Sequence, residues 1–225
     1  MVQPARDRPG PVGRERRTSR EAVLAAALRL ADAEGASALS MRRVANEVGV
    51  PVMTLYGFVR TKQDLVQAVS ERVFEDLFKS GRSQGTPAER LRRGARELWA
   101  ALREHPVVVE LVLADAVPSA VFDDVREAFL DILADAGLSD HQALDAMGAF
   151  FCIALGFAVA GATREGGVGR ADDEVRRLQR LHPTDYPRLT AIAPHYLSHL
   201  SAESFTGAVE HLIAGFGITA FSTQP

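Results

Sequence analysis

The stretch VPVMTLYGFVRTKQDL, Val50 to Leu65, offers an outside partner the hydroxyls of Thr54 and Tyr56, the ring of Phe58 and the ammonium of Lys62. Arg42 and Arg43, shortly before it, add two guanidinium groups. Such a set donates hydrogen bonds and positive charge, which suits phosphates and base edges rather than bond breaking. Elsewhere the signs of catalysis are weak. His195 and His199 stand four apart and so share a helical face, but no third ligand follows at a recognisable spacing, so no metal is expected. The glycines of EGGVGR, Glu165 to Arg170, sit in no strand–loop–helix context that would cradle a phosphate. No nucleophile elbow or acid–base pair stands out; neither an enzyme nor a cofactor is expected.

Short helices must position these groups. Thr18 with Glu21 reads as a capping box for a helix that carries Val23, Leu24, Ala27, Leu28 and Ala31 on one face and closes at Gly35. Ser40 caps a second helix ending at Gly49, with Leu39 and Val44 placed as a staple. Pro51 suits the first position of a third helix running to about Val59, with Val50 before it as N-cap. Thr61 with Asp64 opens a fourth, reaching about Lys79. Leu55 and Val59, four apart, form the packing face of the third helix, leaving Thr54, Tyr56 and Phe58 for the other. A tight glycine turn between two short helices describes a helix-turn-helix, whose second helix packs one face and presents the other to a major groove.

The segment LSMRRVANEVGVPVMTLYGFVRTKQDLVQAV resembles the DNA-binding domain of the TetR (tetracycline repressor) family, in which a T-L-Y core is followed by a basic residue and an S/T/N-K-x-x-L segment. The resemblance covers residues 18–75. It implies contact with double-stranded DNA through Thr54, Tyr56, Lys62 and Arg42. Gly57 departs from the pattern, since many relatives carry a large side chain there; within a helix it costs about 1 kcal/mol relative to alanine.

After the break SGRSQGTP, Thr86, Pro87 and Glu89 open a further helical region. Helices are expected to His105 and over 107–115, 119–136, 140–162, 187–199 and 204–221, with 163–185 an irregular connection. The expected fold is therefore all-α: an N-terminal three-helix helix-turn-helix domain over 18–79, preceded by an Arg-rich arm over 1–17, and a C-terminal helical bundle for ligand binding and dimerisation over 86–225. Gly148, Cys152, Gly156 and Ala160 recur every four residues and leave one helix side bare, and Gly207, His211 and Gly215 do something similar near the C-terminus. Two copies meeting there would make a four-helix bundle, the homodimer the resemblance also implies. It implies as well a pocket for a small apolar effector, for which Trp99, His105, Phe122, Phe129, Phe150, Phe151 and Tyr186 are the candidate residues.

Composition agrees. The 225 residues are 47% hydrophobic and 24% charged, ample for a core. The net charge of −3 is uneven: residues 1–72 hold 12 Lys/Arg against 8 Asp/Glu, a net +4, and the rest 14 against 21, a net −7. One cysteine forms no intrachain disulfide, and the N-terminal stretch lacks the apolar segment of a secretory signal, so a cytoplasmic protein is expected. The uncharged run Ala146–Ala162 is somewhat short for a membrane span. The competing expectation is a helical small-molecule or protein-binding module whose DNA contact is vestigial.

Overall fold

The computed structural model describes residues 18–75, 77, 84–165, 170–196 and 201–218. Among these, every regular element is helical. Helix α1 spans Arg20–Glu34, α2 Met41–Val48, α3 Val52–Leu55 and α4 Lys62–Phe74. Helix α5 spans Pro87–Glu104, α6 Pro106–Leu113, α7 Asp123–Asp135 and α8 Asp140–Glu165. Helix α9 spans Arg170–Gln179, α10 Pro187–Ile192 and α11 Ala202–Gly215.

Local chemistry sets most of these boundaries. Ser19, not Thr18, caps α1: its hydroxyl accepts from the Ala22 amide at 3.1 Å, one residue along from the expected box. Ser40 caps α2 through the Arg43 amide, and Gly49 closes it in the left-handed region (φ 79°, ψ 34°), where a glycine carries no Cβ penalty. Pro51 turns out to be the N-cap of α3 rather than its first residue, since its ψ of 143° is extended. Helix α3 is one turn long. It stops at Leu55 instead of Val59, and the amides of Phe58 and Val59 both return to the Leu55 carbonyl. Gly57 thus lies in a turn, and the expected mid-helix penalty does not apply. Thr61 caps α4 through the Asp64 amide, while Asp64 accepts from the Arg60 amide instead of closing the box on Thr61. Helix α4 ends at Phe74, short of the expected end near Lys79: Glu75 and Leu77 lie in a turn, and the Leu77 amide returns to the Phe74 carbonyl. Thr86 and Glu89 form the full reciprocal capping box on α5.

The expectation of an irregular connection over 163–185 fails at Arg170–Gln179, which is α9. Asp173 pairs with Arg176 and Glu174 with Arg177, each three residues on, and the acids precede the bases as the helix dipole favours. The nearby glycines mask that signal in the sequence.

Helices α1, α2 and α4 pack together, with α3 held on α2, while α8 packs on α5, α7 and α11. Buried Phe129, Phe150 and Phe205 anchor the second group. Asp140–Gly161 of α8 is long and apolar enough to cross a membrane, longer than the run expected to fall short. Along one side it nevertheless packs as a core helix does, with 33% of its most apolar window buried. The remaining surface of α8 faces outward.

Arg92 on α5 and Glu210 on α11 join two of these helices through a paired contact, Nε–Oε1 at 2.5 Å and Nη2–Oε2 at 2.7 Å. That hydrogen bond holds the Glu210 carboxyl below its ordinary range and raises Arg92. A carboxyl depressed by folding contributes stability above its unfolded pKa, about 4.3, and loses it as pH falls through the folded value. Thermal midpoints of Glu210→Gln should therefore fall less steeply than the parent's below about pH 4. The difference will be modest, because Glu210 is half-exposed to solvent. Parallel curves by circular dichroism would show that the pair contributes nothing.

Candidate nucleic-acid interface

Burial assigns the two faces of α3. Leu55 and Val59 are buried in the core, and the short helix packs on α2. The opposite side is open: Met53 is 78% exposed, Tyr56 44%, and Thr54 is exposed as well. Met53 stands three residues before Tyr56 and so shares its side, a position the sequence alone gave no reason to single out. Arg42 near the start of α2 and Lys62 at the start of α4 are exposed and, among the described residues, form no ion pair or side-chain hydrogen bond. Two other candidates are placed differently. Arg43 pairs with Glu34 of α1 at 2.5 Å, and Phe58 is half-buried against the core instead of facing outward.

The seven candidate effector residues do not come together. Trp99 stacks on Phe205 of α11 at 4.5 Å, with the Arg103 guanidinium 5.1 Å from its ring, and Phe157 meets Phe205 edge-on. The Trp99 indole N–H is buried with no hydrogen-bond partner. Phe129 forms a second cluster with Phe150 and Phe151, at 5.2 and 6.0 Å. Phe122 instead meets Phe74 of α4 at 5.1 Å. His105, at the junction of α5 and α6, bonds through Nδ1 to Asp32 of α1 at 2.8 Å. A second polar tie lies close by, where the Ala36 amide donates to Glu110 of α6 at 2.8 Å. Tyr186 is half-exposed beside α10. A cleft of about 750 Å³ opens against α1 and α4 and one of about 350 Å³ against α4 and α6, and none of the seven lines either. Rings spaced along helices predict burial; they do not tell a packed cluster from a pocket wall.

The bare stripe of α8 is open. Gly148, Cys152 and Gly156 are exposed, Ala160 is half-buried, and Leu144 continues the four-residue spacing at 60% exposure. On α11, His211 and Gly215 are exposed and Gly207 half-buried. A Cβ built on Gly148, Gly156, Gly207 or Gly215 meets nothing within 4 Å. Among the described residues, nothing packs into this bareness at the four glycines. His195 is exposed, His199 lies outside the described residues, and no cluster of three metal-ligating side chains occurs among the described ones.

Residues 23–69 match the family described as bacterial regulatory proteins, tetR family, and residues 81–219 match the tetracyclin repressor-like C-terminal domain. The chain belongs to the TetR family. It is thus a transcriptional regulator with an N-terminal helix-turn-helix and the C-terminal helical domain of that family. Among curated TetR-family relatives, the transcriptional repressor DrrR1 of Streptomyces coeruleorubidus is 30% identical over 218 residues, covering 87% of this chain and 73% of that one. The class E tetracycline repressor protein of Escherichia coli is 29% identical over 206 residues, covering 89% and 91%. Of solved structures, a TetR transcriptional regulator from Streptomyces coelicolor superposes with a TM-score of 0.77 at 22% identity, covering 88% and 97%. The TetR-family protein ActR of the same organism, in complex with actinorhodin, gives 0.75 at 24%, covering 89% and 96%. At those identities the structural likeness is one of fold.

Proposed function

We propose that this regulator is a homodimeric, ligand-responsive repressor that reads a near-palindromic operator through Thr54, Tyr56 and Lys62, with Arg42 beside them. The reading rests on one observation: α3 buries Leu55 and Val59 while leaving Met53, Thr54 and Tyr56 open to solvent. A short helix held firmly on one side and unpartnered on the other fits a major groove. Two copies related by a two-fold axis present two such helices, hence the palindrome. Repression is the activity named for DrrR1. The capture of actinorhodin by ActR supports a small-molecule effector for the C-terminal helices here too. A regulator that acts on DNA works in the cytoplasm on this reading. Residues 18–79 serve as the DNA-binding domain and 86–225 as the effector and dimerisation domain.

Selecting bound sites from random duplex DNA tests the reading directly. Enrichment of a palindrome, with affinity falling steeply as salt rises, is the expected result. Equal affinity for every duplex, or a flat salt response, would overturn it.

Two substitutions should differ in kind. Lys62→Ala removes a phosphate contact and should weaken all duplexes alike, lowering the salt slope by about 1. Tyr56→Ala should cost the selected operator more than random DNA, by about 1–3 kcal/mol for a lost base-edge contact. Circular dichroism should show both variants folded, since both side chains are exposed. If each binds the selected operator like the parent, the docking mode is wrong.

A further inference from the structure

The most exposed large apolar side chain among the described residues is Met53, at 78%. It is the second residue of α3, and Tyr56 continues the same side three residues on. Its other neighbours behave differently. Val52 and Phe58 are half-buried against the core and Leu55 is fully buried, so the backbone that carries Met53 is held while its side chain stands in water. Gly57, also exposed, has no side chain with which to cover it. Within α1 to α4, Met53 and Tyr56 are the only large hydrophobic residues exposed in this way.

The surroundings select the partner. Residues 41–63 carry Arg42, Arg43, Arg60 and Lys62 against Glu47, a net +3, and Arg42, Arg60 and Lys62 are exposed. A protein or lipid partner is bound by a contiguous apolar patch, whereas here one thioether and one phenol stand among cations. A duplex meets that pattern, because phosphates take the cations and the groove floor offers the apolar side chain a single partner. In the major groove the 5-methyl of thymine is the one apolar group presented on a base edge; guanine, adenine and cytosine present hydrogen-bond donors and acceptors. Methionine cannot replace the water on those edges, so covering them costs free energy, while covering the methyl removes apolar surface from water. Its unbranched side chain and polarisable sulfur adapt to such a contact without a fixed geometry.

We propose that Met53 is a specificity-determining residue of the operator contact, seating its thioether on the 5-methyl of a thymine in each half-site. The inference rests on the operator-binding reading above and adds to it a base that α3 prefers. Thr54 and Tyr56 supply hydrogen bonds to base edges; Met53 supplies the apolar contact beside them.

Deoxyuridine differs from thymidine only in lacking that methyl. Once the parent protein has selected its operator from random duplex DNA, each half-site thymine is replaced in turn by deoxyuridine. One position should weaken the parent about fourfold when one half-site is changed, the effect of one buried methyl group, and about fifteenfold when both are. Met53→Ala should bind the thymine operator more weakly and lose the difference between the two bases. Met53→Leu, apolar and of similar volume, should retain most of it. Circular dichroism should show both variants folded, because the residue 53 side chain lies outside the core. Equal losses on deoxyuridine for the parent and Met53→Ala would assign the methyl to another side chain or to the shape of the duplex, and overturn the proposal. A half-site in which no thymine responds would do the same. If no duplex is enriched at all, the operator reading fails and this inference with it; an operator that Tyr56→Ala weakens and Met53→Ala does not would remove Met53 alone.

Discussion

Replacing Phe129 by alanine is expected to destabilise the protein by about 3–5 kcal/mol, the usual cost of emptying a large buried aromatic site. The ring is fully buried in α7 and meets the rings of Phe150 and Phe151 of α8 at tilted angles. Tilted aromatic pairs add about 0.5–1.5 kcal/mol beyond the area they bury. Domains typically hold only about 5–15 kcal/mol in total, so the variant should unfold at a much lower urea concentration. The size of the loss also reports on function. A packed core gives the full penalty, whereas a ring bordering a ligand cavity leaves less to lose. If Phe129→Ala costs under about 1 kcal/mol and yet alters release from DNA by an effector, the ring belongs to a pocket wall. Trp99 gives a complementary readout as the only tryptophan in the chain. Its indole N–H is buried without an acceptor, so an effector bearing an oxygen at that point should shift its emission. Linkage requires that shift to occur over the same concentration range as operator release.

The part of the fold most legible in the sequence is the part governed by local rules. Ser40, Thr61 and Thr86 cap where their hydroxyls reach an amide three residues on, and Gly49 turns where only a residue tolerant of positive φ is comfortable. Leu55 and Val59 mark the buried side of α3 because their spacing brings them together even though the helix ends between them. That ending is less legible. Nothing in TLYGFV states that the Leu55 carbonyl will take both the Phe58 and Val59 amides, in a turn held against α2. For the same reason Phe58 turns inward and leaves Met53 outside.

Contacts between distant segments are not legible at all. Asp32 and His105 are 73 residues apart, and their pairing follows from how α1 meets the α5–α6 junction. His105 reads equally well as a pocket residue when only its own helix is considered. Phe122 is displaced from the candidate pocket by the same route, through Phe74 of α4. The glycine stripe is different. Its bareness is written in the four-residue spacing, and the structure adds that nothing among the described residues fills it at the glycines.

Gly156→Leu should therefore separate the proposed dimer while sparing the protomer. Within one chain a new side chain at this position has open space, with no atom within 4 Å of the built Cβ. Leucine also favours helix over glycine by nearly 1 kcal/mol, so folding should be unharmed or improved. The effect must then come from outside the chain. Only 33% of the apolar window of α8 is buried, and the uncovered side carries Leu144, Gly148, Cys152 and Gly156 beside the open glycines of α11. A second copy seated there brings both leucines into one interface. Overpacking costs about 1–3 kcal/mol per site and a two-fold axis counts it twice, so dissociation should strengthen by about thirtyfold or more. Sedimentation should show monomer at concentrations where the parent is dimeric, and operator affinity should drop towards that of a single half-site. A bifunctional maleimide offers an independent check, because Cys152, the only cysteine, lies between the two glycines: it should link parent chains and fail on the variant. A variant that stays dimeric with full operator affinity would place the interface elsewhere, and the exposed Tyr186, Leu189 and Ile192 around α10 would be the next surface to test.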